Sequence, residues 1–221
     1  IRGISGNETR TVIICGDGFS TRQALIDEFD NNRIPLDDPY LIGTFHYYDP
    51  FTFTKQGAND VAAGRIPGNT WGTTNEFLEV ETDFDAVMSA NMSWAARNNT
   101  QPLPIYMGEF GVDNEADNHH SDRKKWLSWI RMQAEKRDFS WAHWNMYQNT
   151  PASKGMGPWS GQYYTSNLNQ KLPRSFDADP VEALVGRYEF EDGSRGGNVQ
   201  YTNEYAGFSG TGYAHYPTNL G

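Results

Sequence analysis

The chain has 221 residues and a formal net charge of -10, with 18 Lys and Arg against 28 Asp and Glu. No Lys/Arg block stands out, which argues against nucleic acid as a partner, and no apolar run approaches the ~18 residues that cross a bilayer, so no membrane association is expected. The one cysteine, Cys15, excludes an internal disulfide and a zinc cluster. In chain order, residues 10–15 form a β-branched run that reads as a buried strand, with Cys15 packed as a small core hydrophobe. Gly16, Asp17 and Gly18 end it. Residues 21–29 read as a short helix with Thr21 as N-cap. Residues 31–39 are a loop with two prolines, and residues 41–48 a second strand ending in His46, Tyr47 and Tyr48.

Residues 51–74 are long, rich in Gly and contain Trp71; a loop of that length in a compact domain is usually functional. Residues 75–98 read as a helix, with Thr82 and Asp85 resembling a capping pair inside it. Phe84, Val87, Met88, Met92 and Ala95 repeat at helical spacing and are expected in the core. Residues 103–107 are a continuous apolar run, as a buried parallel strand should be. The run ends in Gly108-Glu109-Phe110-Gly111. A helix beginning at Ser121 carries Trp126, Trp129 and Ile130 on one stripe, read as packing. Residues 139–144 are an aromatic fourth strand. Residues 149–174 read as a second long loop, with Trp159, Tyr163 and Tyr164, and residues 179–185 as a short closing helix. Strand-helix alternation of this kind is that of a parallel α/β unit. After Gly186 the composition shifts to Gly, Tyr and Asn with strand-like alternation. A domain boundary is therefore placed there, giving residues 1–186 and 187–221. The chain opens on Ile1 and stops inside a strand-turn pattern, so it is expected to be a piece of a longer protein.

Three strands thus carry polar or aromatic side chains at their C-terminal ends, the face where (β/α) barrels keep their active sites. Glu109 has two readings on its own segment: a catalytic carboxylate, or a strand-ending Glu that caps the next helix. His46 alone reads as a satisfied core histidine; two residues before Tyr48 at a strand end, it reads as part of a site.

Four motifs, in this order and spacing, resemble glycoside hydrolase family 5, the cellulase-type (β/α)8 barrels. They are Phe45-His46-Tyr47-Tyr48-Asp49-Pro50-Phe51, Thr54-Lys55-Gln56-Gly57-Ala58, Gly108-Glu109-Phe110-Gly111 and Ser140-Trp141-Ala142-His143-Trp144. The resemblance implies an α/β fold in which the four strands are strands 5–8, the C-terminal half of the barrel. It implies that Glu109 is the nucleophile of a retaining glycosidase, that His46 and Tyr48 orient substrate and nucleophile, and that Trp144 is the aromatic floor under the reacting sugar. Tyr47, between the pair, is expected to face packing. Such an enzyme needs two carboxyl groups about 5–5.5 Å apart, a nucleophile and an acid/base, and no cofactor.

The family's acid/base Glu belongs to an Asn-Glu pair at the end of the fourth strand. Glu8, Glu76, Glu115 and Glu204 follow an Asn here, and none stands at such a strand end, so the acid/base is expected outside this chain, in a missing N-terminal half. Lys55 stands where related sequences commonly have His. Through Tyr188-Glu189-Phe190-Glu191 and Ala206-Gly207-Phe208-Ser209-Gly210-Thr211-Gly212-Tyr213, residues 187–221 resemble the start of a family 6/35-type carbohydrate-binding module, a truncated β-sandwich. That resemblance implies a structural calcium held partly by Glu189 and Glu191; a solvated strand face is the alternative. The implied protein is a secreted endo-β-1,4-glycanase acting on a β-linked polysaccharide, with the isolated chain inactive. The alternatives are a non-catalytic carbohydrate-binding protein, or the same class of enzyme acting on mannan, xyloglucan or mixed-linkage glucan.

Overall fold

The computed structural model describes residues 2–36, 38–55, 68–113, 120–145, 156–157, 159–160, 175–176, 183–184, 200–202 and 213–215. Its centre is a four-stranded sheet in the order β1 (Val12–Cys15), β2 (Leu41–Tyr47), β3 (Ile105–Phe110) and β4 (Ser140–Trp141). Every neighbouring pair is parallel. Parallel neighbours need a crossover. Those crossovers carry α1 (Asp17–Ser20) and α2 (Arg22–Asp30), then α3 (Phe51–Thr54) and α4 (Thr74–Asn98), then α5 (His120–Glu135).

The sheet packs its helices against one set of alternating side chains. Leu41, Phe45 and Tyr47 of β2 and Ile105, Met107 and Phe110 of β3 are buried, together with Leu25 and Phe29 of α2, Phe84 and Trp94 of α4 and Trp126 of α5. Phe84 meets Phe45 edge-on at 5.7 Å and stacks on Phe139 at 6.3 Å. Gly43 lets this layer close, because a Cβ there would lie 3.1 Å from Ile105 Cδ1.

Cys15 corrects the expectation of a buried thiol. It is exposed, as is Ile13, whereas Val12 and Ile14 are half-buried. The apolar run at β1 is covered on one face only among the described residues, so alternate residues leave the core.

Thr21 caps α2, its side chain accepting from the Ala24 N–H at 3.3 Å. The cap of α4 is not Thr82 with Asp85. Thr73 accepts from the Glu76 N–H while Glu76 accepts from the Thr73 N–H, a full capping box at the helix start. Thr82 instead donates to the Leu78 carbonyl within the helix at 2.8 Å. Phe84, Val87 and Ala95 are buried and Met88 is half-buried against them, but Met92 is 48% exposed. Asn91, buried in its place, clamps the entrance to β3 by donating to the Leu103 carbonyl and accepting from its N–H. Trp126 and Ile130 are buried as packing residues, with Trp129 half-buried beside them. Trp71 is buried in the core.

The fourth strand is shorter than residues 139–144, yet its ladder to β3 continues. Ala142 N–H donates to the Met107 carbonyl at 3.0 Å and Trp144 N–H to the Phe110 carbonyl at 2.9 Å. The segment read as the loop 149–174 contains a strand: β5 (Trp159–Ser160) pairs antiparallel with β6 (Ser175–Phe176). Beyond residue 187, β7 (Gln200–Thr202) pairs antiparallel with β8 (Tyr213–His215). Glu189 and Glu191 lie outside the described residues, as does Glu115. Among the described residues no helix is long and apolar enough to cross a membrane.

Candidate active site

The C-terminal ends of β2 and β3 lie side by side, and the pairing there is irregular. Phe45 faces Met107, but the next residue, His46, faces Glu109, so Gly108 is an extra residue in β3. A bulge of this kind re-aims the side chains that follow it. In a regular strand Glu109 would share the buried face of Met107. The extra residue returns it to the half-buried face of His46 and sends Phe110 back into the core. Only glycine fits the bulge, since a Cβ on Gly108 would stand 2.9 Å from Thr44 Oγ1 and 3.3 Å from His46 Nε2. On its other flank His46 is bridged to Thr21, the N-cap of α2.

Three predicted residues meet here. The Tyr48 hydroxyl donates to Glu109 Oε2 at 2.9 Å, and His46 Nδ1 lies 3.4 Å from the same oxygen. Neither contact engages Oε1. Burial, then the hydrogen bond and charge of Glu109, push the Tyr48 phenol well above its ordinary range. That shift keeps the hydroxyl protonated, as the donor to Glu109. The carboxylate is about a quarter exposed, within reach of a solute.

Trp144 stands at the end of the adjoining ladder, 47% exposed, and is tied to the strand of Glu109 by the backbone bond to Phe110. Its peptide bond to Asn145 is cis. Gly111 makes room for it, because a Cβ there would lie 2.3 Å from the Trp144 carbonyl oxygen. The structure thus joins His46, Tyr48 and Glu109 directly and sets Trp144 at the same end of the sheet, one strand away. Tyr47 points the other way, into the helices. It is buried, stacks on Trp126 at 6.2 Å and donates to Asp83 Oδ2 at 2.8 Å. Asp83 also pairs with Arg22 at 2.9 Å. Burial raises the Asp49 carboxyl, with Arg22 acting in the opposite sense.

Behind Trp144 lies a feature that sequence reading missed. The His143 ring packs edge-on against Phe110 at 5.7 Å, and its Nε2 is buried with no hydrogen-bond partner among the described residues. Burial, helped by the Arg123 guanidinium, pulls His143 down to about 4. Arg123 is fully buried and donates to the carbonyls of Val112 and Met156. The His143 motif was visible in the sequence; the burial of a cation on α5 depends on tertiary packing and left no local signal.

A pH dependence of stability follows. An unfolded histidine titrates near 6.5, whereas folded His143 stays neutral to about pH 4. Between those values the unfolded chain binds the extra proton, so stability is full above about pH 6.5 and falls as the pH drops toward 4, by up to about 3 kcal/mol. Urea midpoints measured from pH 7 to 4.5 should show His143→Gln losing less stability than the parent. Parallel losses in the two proteins would contradict this.

Among the described residues no three His, Cys, Asp or Glu side chains are grouped so as to hold a metal ion.

Comparison with known proteins adds the following. The family described as Cellulase (glycosyl hydrolase family 5) matches residues 1–150. The chain is 40% identical over 139 residues to endoglucanase H of Acetivibrio thermocellus, covering 63% of this chain and 13% of that protein. Among solved structures it is similar to the cellulose synthase subunit Z of Clostridioides difficile, with 29% identity and a TM-score of 0.57 over 81% of this chain and 50% of that one. It is likewise similar to Cel5A of Thermotoga maritima, solved with a mannotriose substrate, at 29% identity and a TM-score of 0.57 over 79% of this chain and 47% of that one. The chain therefore spans half or less of the length of each of these relatives.

Proposed function

Since this chain belongs to the cellulase family, glycosyl hydrolase family 5, we propose that it supplies the nucleophile-bearing half of a retaining endo-β-1,4-glucanase. The observation that carries this reading is the Tyr48–Glu109 hydrogen bond at a glycine-made bulge, on a strand end beside an exposed tryptophan. Glu109 attacks the anomeric carbon of the bound sugar as the glycosidic C–O bond breaks and the leaving oxygen takes a proton from the acid/base. Water, deprotonated by that same residue, then displaces Glu109 from the covalent glycosyl-enzyme and returns it as a carboxylate. Tyr48 holds Oε2 in place through both steps. His46 supports the same oxygen from the other side. The indole of Trp144 offers a flat apolar face to the C–H face of the pyranose.

In this reading the four parallel strands are strands 5–8 of a (β/α)8 barrel, and the acid/base Glu is contributed by strands that precede them. Ile13 on a face of β1 and Phe19 in α1, 97% exposed, are apolar surface that further parts of such a barrel would cover, which supports this reading. Residues 187–221 are taken as the start of a carbohydrate-binding module whose calcium is held partly by Glu189 and Glu191, and the protein as secreted. The mannotriose complex of the Thermotoga maritima relative favours mannan as a second substrate to test.

The test is hydrolysis of soluble cellulose, mixed-linkage glucan, xyloglucan and mannan by the intact protein and by residues 1–221 alone. The intact protein should cleave β-1,4-glucan. Residues 1–221 alone should show no measurable hydrolysis, since losing the general acid alone costs about 10²–10⁴-fold in rate. Equal rates would contradict the division of the site, and binding by the intact protein without turnover on any glycan would contradict the enzyme.

A further inference from the structure

Tyr48 lies just past the last paired residue of β2, Tyr47, so the sheet itself does not hold it. Its hydroxyl must still stay within hydrogen-bond range of Glu109. Two consecutive residues at the end of α3 take over that task. Thr54 is fully buried, and its hydroxyl donates to the Tyr48 carbonyl and lies 3.4 Å from the Pro50 carbonyl. Its own carbonyl accepts from the Asp113 N–H at 2.8 Å, on the segment that leaves β3. One residue therefore ties the end of β2 to the end of β3 beyond the sheet.

Lys55 acts on the ring. Its Nζ stands 4.3 Å from the centroid of the Tyr48 ring and 3.9 Å from Met156 Sδ. A cation on the face of a phenol is attracted by the ring quadrupole, restrains the ring and draws electron density from it, which makes the O–H a stronger donor. Met156 is fixed in turn, its carbonyl accepting from Arg123 at 3.1 Å and its side chain lying where a Cβ on Gly111 would come within 2.7 Å of Sδ.

We propose that Thr54 and Lys55 are positioning residues for Tyr48, Thr54 fixing its backbone and Lys55 fixing and polarising its ring so that the hydroxyl stays on Glu109. This rests on the glycosidase reading above and deepens it. It gives the lysine at position 55 a role of its own.

The experiment measures kcat and KM of the intact enzyme on an aryl β-cellobioside for Lys55→Met, Lys55→Arg, Thr54→Val and Thr54→Ser, with Glu109→Gln alongside. Lys55→Met should lower kcat about 5- to 10-fold, the scale of a partly desolvated cation–π contact, with KM within about twofold. Lys55→Arg should recover most of that loss, because it restores the cation, and Thr54→Ser should be close to the parent where Thr54→Val is about 10-fold slower, the scale of one hydrogen bond. Lys55 is half-buried at the surface, so its variants report even where Thr54→Val folds poorly. Equal losses for Lys55→Met and Lys55→Arg, or parental kcat in Lys55→Met, overturn the proposal. If Glu109→Gln is inactive in the same experiment, the glycosidase reading survives that result; if Glu109→Gln turns over, both fall.

Discussion

Glu109→Gln in the intact enzyme should abolish turnover, a fall of about 10⁴-fold or more, while an oligosaccharide still binds within a few-fold of its parental affinity. Gln keeps the shape of the side chain and an oxygen that can accept from the Tyr48 hydroxyl, so the bulge at Gly108 and the strand end have no reason to move. What is lost is the charged oxygen that attacks the anomeric carbon. Reducing-end release and isothermal titration with a cello-oligosaccharide check the two halves of this expectation. Activity within tenfold of the parent would remove Glu109 from the nucleophile's role.

Tyr48→Phe is the second large effect. The ring and its contact with Lys55 persist, and the hydrogen bond to Glu109 Oε2 disappears. A charge-assisted bond that orients a reacting oxygen is typically worth about two orders of magnitude in rate, so kcat should fall about 10²-fold with KM little changed. The comparison with Lys55→Met is informative because that change weakens the same hydroxyl without deleting it. A Tyr48→Phe enzyme within threefold of parental kcat would mean that the carboxylate is aimed by other groups.

Much of the fold was legible because each strand is an apolar run closed by Gly or by a polar cluster. The ends of α4 were nearly right for the same reason, through the stripe of Phe84, Val87 and Ala95. Met92 was misplaced because a step of four repeated from Phe84 through Met88 drifts around a helix of 3.6 residues per turn. The buried stripe instead alternates steps of three and four, through Val87, Asn91 and Trp94. The capping box at Thr73 and Glu76 is spelled out in the sequence, and the similar pair Thr82 and Asp85 stands about two and a half turns further along, inside the helix. Cys15 was misjudged because an apolar run does not say whether both faces of its strand are covered.

At the site, the strand ends picked out His46, Tyr48 and Glu109 as candidates, and the resemblance to glycoside hydrolase family 5 implied their roles. Their geometry was not. The bulge that turns Glu109 toward His46 depends on the register between β2 and β3, which neither strand encodes alone. The hydroxyl of Thr54, the ammonium of Lys55 and the pair of His143 and Arg123 act through contacts 6 to 101 residues away in sequence. Composition carries no trace of such pairs.

The covalent intermediate tests the central claim most directly. The intact protein would be incubated with a 2-deoxy-2-fluoro-β-cellobioside bearing an activated leaving group, digested, and its peptides sequenced by mass spectrometry. The account predicts one added fluorocellobiosyl group, carried by the peptide that contains Gly108-Glu109-Phe110 and localised to Glu109. A label on any other carboxylate, or an unlabelled enzyme that hydrolyses its substrate with inversion at the anomeric carbon, would contradict it.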